Sequence, residues 1–133
     1  MQYHLSFAQF TIHSDNILEM LVNDDTEVTL EMIAESDRFI TEYFPNNFVL
    51  LINSINNYTY SYEAQLCIGS HENLRGIAFL YYSQSDLDVI NQLKAKRKMD
   101  NWNSKTFSGL ELGWQQAYAW SKNELSYLGI NVS

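Results

Sequence analysis

Proline occurs once, cysteine once and glycine five times in 133 residues. With so few backbone breakers there is no linker-like stretch, no low-complexity segment and no sign of a hinge between two units. A lone cysteine, Cys67, excludes an intrachain disulfide framework and a thiolate metal cluster. Long apolar runs are also missing. The longest are Phe48 to Ile52 and Ile77 to Tyr82, far short of the roughly 20 residues that span a bilayer. The residues after Met1 lack a basic start and an apolar stretch, so no signal-peptide pattern is present and a cytoplasmic protein is expected. Basic residues are scarce, eight against sixteen acidic, for a net charge of −8. Such a chain does not offer the broad basic surface that phosphate neutralisation along a nucleic acid requires.

What is present argues for a packed core. Apolar residues make up 46% of the chain, with three Trp, nine Tyr and seven Phe, which is incompatible with disorder. The length fits one domain over 1–133, with its core between about 3 and 125. Charge is unevenly distributed. Up to Cys67 the only basic residue is Arg38, and four of the remaining seven, Lys94, Lys96, Arg97 and Lys98, fall together.

The N-terminal third alternates apolar and polar residues with period two. Tyr3, Leu5 and Phe7, then Phe10 and Ile12, then Leu18, Met20 and Val22 predict three antiparallel strands, each with one face on a core. Thr29 is placed to cap a helix carrying Leu30, Ile33, Ala34, Ile40 and Phe44, which Pro45 stops. The unbroken runs at Phe48 to Ile52 and Ile77 to Tyr82 predict central strands covered on both faces. Between them lie a polar and aromatic loop from Asn53 to Ser61 and a short helix ended by Gly69. Ser85 is placed to cap the next helix, which ends in the basic cluster. Lys105 to Phe107 suits a short edge strand. Leu110 to Leu125, with Leu112, Gln116, Ala119 and Trp120, suits a closing helix. The expected architecture is α/β: a mixed sheet, antiparallel at its N-terminal part, with flanking helices.

Three stretches bear a family likeness: Asn53-Ser54-Ile55-Asn56-Asn57-Tyr58-Thr59, Asn73-Leu74-Arg75-Gly76-Ile77-Ala78-Phe79, and Thr106-Phe107 ahead of Ala117-Tyr118-Ala119-Trp120. In this order they resemble the STAS-like proteins of flavobacteria. That group is similar in turn to the sporulation anti-sigma-factor antagonists and to CRAL-TRIO lipid-carrier-like domains. The resemblance implies a STAS-like sandwich and a non-enzymatic binding or regulatory role through protein contact. The alternative it implies is a carrier or sensor of a small apolar or lipid-like ligand. The antagonists carry a serine, at the start of the helix after the central strand, that a kinase partner phosphorylates. The matching region here is Thr59-Tyr60-Ser61-Tyr62-Glu63. It has the hydroxyl but lacks the Asp-Ser-Ser-Gly pattern, and Tyr62 fills the place of a small residue, so Ser61 is not expected to be a regulatory phosphoacceptor.

Catalytic patterns are absent: there is no G-x-S-x-G, no phosphate loop, no dinucleotide turn and no H-E-x-x-H. No enzyme activity, cofactor or metal is expected. His4, His13 and His71 are scattered, with His4 and His13 placed to approach across a hairpin but lacking a third ligand. Two stretches remain as candidate binding sites. The loop with Asn53, Asn56, Asn57, Tyr58, Thr59 and Ser61 follows the carboxyl end of a central strand, where open α/β sheets bind ligands. Its amides and hydroxyls can serve a ligand or the loop's own backbone. The second is the basic cluster Lys94, Lys96, Arg97 and Lys98 with Trp102, a pattern suited to an anionic surface such as a membrane or an acidic partner, or to a solvated helix end. A homodimer is compatible with this composition. A protein-contact module needs an exposed patch over a filled core, whereas a carrier needs an internal apolar cavity of about 300 Å³ or more.

Overall fold

A computed structural model describes residues 1–132. Eight strands and four helices alternate: β1 (Gln2–His4), β2 (Ala8–Ser14), β3 (Ile17–Val22), β4 (Thr26–Val28), α1 (Leu30–Tyr43), β5 (Phe48–Asn53), β6 (Tyr58–Tyr60), α2 (Tyr62–Cys67), β7 (Leu74–Tyr81), α3 (Gln84–Lys96), β8 (Ser104–Ser108) and α4 (Gly113–Ser126). Six strands form one sheet in the order β1-β2-β3-β5-β7-β8. The first three are antiparallel and every later pairing is parallel, so the sheet is mixed in the way the alternation and the buried runs imply.

Strand pleating sorts the core into two layers. Phe10, Leu18, Met20, Leu50, Ile52, Ile77 and Phe79 point to one side, under α1, α2 and α3. Ile17, Val49, Leu51, Ala78, Leu80 and Phe107 point to the other, under α4. β5 is buried along its whole length because helices cover both of its faces. A parallel strand returns only through a crossover, and α1, α2 and α3 supply those crossovers on one face.

Several boundaries differ from the pattern reading. Thr29 does cap α1, its Oγ1 accepting from the Met32 amide at 3.4 Å. The buried stripe of α1 is Ile33, Ser36, Phe39 and Ile40, while Leu30 and Ala34 face outward. Ser83, not Ser85, caps α3: its Oγ accepts from the Asp86 amide at 3.2 Å, and the Asp86 carboxylate accepts from the Tyr82 amide at 2.9 Å. This reciprocal pair satisfies two amides at once, which Ser85 would not do. α4 begins at Gly113, leaving Leu110 and Leu112 exposed before it. Its buried stripe is Gly113, Ala117, Ser121 and Leu125, at spacing four, so small residues bring the helix close to the sheet. A Cβ at Gly113 would lie only 1.6 Å from the Ser108 carbonyl oxygen.

The stretch from Asn53 to Ser61 is also not a simple loop. Tyr58-Thr59-Tyr60 is extended and pairs in parallel with Thr26-Glu27-Val28, forming a separate two-stranded sheet. Three-residue strands are too short to leave a period-two signature.

Candidate functional site

The loop residues are brought together at the carboxyl end of β5, and most of their polar atoms are spent on the chain itself. Asn53 donates from Nδ2 to the Glu19 carboxylate at 2.8 Å and accepts from the Ile55 amide at 3.2 Å. Asn56 donates to the Val22 carbonyl at 2.9 Å. The Asn57 amide donates to Asp24 at 2.9 Å, and the Asn57 carbonyl accepts from the Asp25 amide at 2.8 Å. Ser54, Tyr58 and Tyr60 form a buried chain of hydroxyls with steps of 3.2 and 3.3 Å. Burial pushes both tyrosine hydroxyls above their ordinary ionisation range, so they stay protonated. Asn57 and Thr59 are exposed, and neither side chain has a hydrogen-bond partner among the described residues. Ser61 caps α2, its Oγ accepting from the Ala64 amide at 3.1 Å. These hydrogen bonds answer the amides of a turn and two short elements.

The basic cluster is not one exposed patch, because its four side chains differ in burial and direction. Arg97 is 7% exposed and turns inward. Its guanidinium donates to the Gln65 and Ile68 carbonyls, to Ser70 Oγ and to Asp100, tying the end of α2 to the end of α3. Those two carbonyls lie in the last turn of α2 and just beyond it, where a cation is well placed. Trp102 stacks on this group, with the guanidinium carbon 4.5 Å from its ring centre, and packs against Phe79. It is therefore partly buried against the core, not a freely exposed apolar foothold. Lys94 is half-buried, donates to Thr106 Oγ1 and lies 5.4 Å from the Phe79 ring centre. Burial lowers its pKa. Lys96 points the other way, over Tyr62 of α2 at 5.4 Å. Of the four, Lys96 and Lys98 are the exposed ones.

One polar cluster escapes a linear reading. Glu19 of β3 lies on the α4 side of the sheet and is 9% exposed. Its carboxylate accepts from His13 Nε2 at 2.7 Å, Asn53 Nδ2 at 2.8 Å and Trp114 Nε1 at 3.2 Å. His13 packs edge-on against Trp114, and Trp114 stacks on Tyr118. Burial raises the Glu19 pKa, but the hydrogen bonds from His13, Asn53 and Trp114 outweigh it and hold the carboxyl below its ordinary range. The partners come from β2, β5 and α4, 6, 34 and 95 residues away along the chain. A glutamate inside the apolar alternation of β3 was the only linear signal. Every partner is a donor already engaged, and among the described residues no nucleophile is hydrogen-bonded to His13, so the cluster locks α4 onto the sheet.

The other histidines lie apart. His4 is exposed and pairs in register with Gln9, away from His13. His71 packs on Phe48. Among the described residues no group of three or more His, Cys, Asp or Glu is placed to hold a metal. Cys67 is half-buried and unpaired. No helix of the described residues is long and apolar enough to cross a membrane. Between α1, α2 and the sheet is an internal cavity of about 20 Å³, lined by Phe10, Met20, Ile33 and Leu50 among others. That is room for about one water molecule.

The fold and these clusters define an open α/β sheet, wound through three helices on one face and closed by one helix on the other. No protein-family model matches the chain, and comparison with curated proteins and with solved structures gives no match either.

Proposed function

We propose that this chain is a non-enzymatic, STAS-like binding or regulatory domain that acts through contact with a protein partner at the outer face of α2. The observation that carries this reading is the pair Tyr62 and Leu66. They stand one turn apart on α2 and are 63% and 46% exposed. The Lys96 ammonium lies over the Tyr62 ring, so the patch combines apolar surface with one cation. Beneath it Ala64 is fully buried and Arg97 pins the carbonyl end of the helix, so the patch sits on a rigid support. An aromatic and an aliphatic side chain held out on a filled core suit an interface. The resemblance to STAS-like proteins points to the same helix.

The carrier alternative finds less support. A cavity of about 20 Å³ falls well short of the roughly 300 Å³ at which ligand pockets begin. Native mass spectrometry of protein purified without detergent is expected to give the bare chain mass. A stoichiometric bound apolar molecule would favour the carrier instead.

The contact reading is tested by photo-crosslinking in cells that make the protein. A benzophenone side chain at position 62 or 66 is expected to yield one discrete heteromeric adduct. The same group at Gln115, an exposed position on α4, is expected to yield none. No adduct at either α2 position, or equal labelling at all three, would reject the α2 face. Intact mass of the same protein is expected to show no stoichiometric phosphate. Ser61 is committed to capping α2, and bulky Tyr62 stands beside it. Phosphate on Ser61 or Thr59 would instead restore a charge-driven switch.

A further inference from the structure

We propose that the depression between the end of α3 and the start of β8 binds an oxyanion of the phosphate class, held by Lys94 and Lys98. This depression measures about 260 Å³ and is lined by Lys94, Arg97, Lys98, Asn101, Trp102 and Ser104. It is slightly below the roughly 300 Å³ at which pockets for drug-sized ligands begin, a size suited to a phosphate group and a little of what carries it.

The charge here is one-sided. Acidic residues outnumber basic ones sixteen to eight in the chain, yet no carboxylate lines this depression. The nearest in sequence, Asp100, is taken by Arg97. Arg97 is in turn fixed by two carbonyls and Ser70, and stacked on Trp102, so it forms a rigid positive wall.

Lys94 is the group in want of a partner. An ammonium has three donors. Among the described residues this one makes a single hydrogen bond, to Thr106, and forms no salt bridge. It is also half removed from water, against an aromatic ring. A half-buried cation without a counter-charge is costly, and an anion in the depression would supply both the charge and the missing acceptors. Lys98, exposed on a flexible stem at the rim, adds a second charge. The Asn101 amide and Ser104 hydroxyl add neutral donors that fit phosphate oxygens.

The site is separate from the α2 face, so its test stands apart from the crosslinking experiment. Inorganic phosphate is titrated into the whole protein at constant ionic strength, with chloride as the balancing ion, while amide and indole NMR signals are followed. Saturable shifts are expected at Asn101, Trp102 and Ser104. Lys94→Met should weaken the affinity by about tenfold or more, as the loss of a charge-assisted hydrogen bond implies. Lys98→Gln, at an exposed position, should weaken it by a smaller factor. Lys122→Gln, on α4 outside the depression, should leave it unchanged. Flotation with vesicles of phosphatidylcholine containing phosphatidic acid, with and without competing phosphate, identifies the source. Competed flotation makes the anion a lipid headgroup, and its absence makes it a free phosphate compound. Linear, unsaturable shifts would overturn the site. So would unchanged affinity in Lys98→Gln together with unchanged affinity, or failure to fold, in Lys94→Met.

Discussion

Replacing Phe79 by Ala is expected to lower the unfolding free energy by about 4 kcal/mol, in line with the range for emptying a buried phenylalanine site. Phe79 is 1% exposed at the centre of β7 and packs against Trp102, with the aliphatic stem of Lys94 bringing its ammonium over the ring. The strands paired on either side of β7 cannot collapse inward without breaking backbone pairings, so a cavity remains. Leu51→Ala probes the other layer. Leu51 is fully buried under α4, and the expected loss is about 3 kcal/mol. Equilibrium urea unfolding measures both. Because the two side chains hang from adjacent strands of one sheet, each variant should show one transition at a lower midpoint with an unchanged slope. Losses below about 1 kcal/mol at both sites would mean that the core lies elsewhere.

Glu19→Gln is the second large effect, with an expected loss of about 2 kcal/mol at neutral pH. The amide keeps the shape of the carboxylate but turns an NH2 group toward donors on His13, Asn53 or Trp114, leaving at least one of them unpaired. The pH dependence gives the test its sign. The folded pKa of Glu19 lies below its ordinary value of 4.5. The unfolded chain therefore takes up the proton first as the pH falls. The stabilisation is fully present above about pH 4.5 and is lost as the pH drops through the folded value. The gap in unfolding free energy between wild type and Glu19→Gln should be widest above that pH and should close in acid. A gap of the same size at every pH, or none at neutral pH, would show that the charge of Glu19 does not hold α4 in place.

The clusters also explain why a candidate site is harder to read from a linear pattern than a fold. Asn53, Asn56 and Asn57 have the right chemistry and the right place, after a central strand, to hold a ligand. The side chains of Asn53 and Asn56 turn instead to Glu19 and Val22, and the Asn57 backbone amide to Asp24, all more than thirty residues earlier in the chain. Nothing in the spacing of an asparagine distinguishes a donor to a ligand from a donor to a distant carbonyl. The four basic residues look like one patch because they fall within five positions, 94–98. On and beyond the last turn of a helix, neighbouring residues point in different directions, so Lys94 faces β8, Lys96 faces α2, Arg97 is buried and Lys98 is left exposed.

What the sequence determined by itself was the architecture. Period-two alternation from Tyr3 to Val22 and two unbroken apolar runs are local properties, because a side chain's face in a strand depends only on its parity. They were enough to specify antiparallel strands followed by central strands covered on both sides. The cap at Thr29 and the stop at Pro45 are equally local. Tertiary structure alone decided the pairing of β4 with β6, the inward turn of Arg97, the close seating of α4 on its small-residue stripe and the Glu19 cluster. Each of these depends on which polar group meets which across tens of residues. Burial makes such meetings obligatory, since an unpaired buried donor or charge is costly, but only the folded chain specifies the partner.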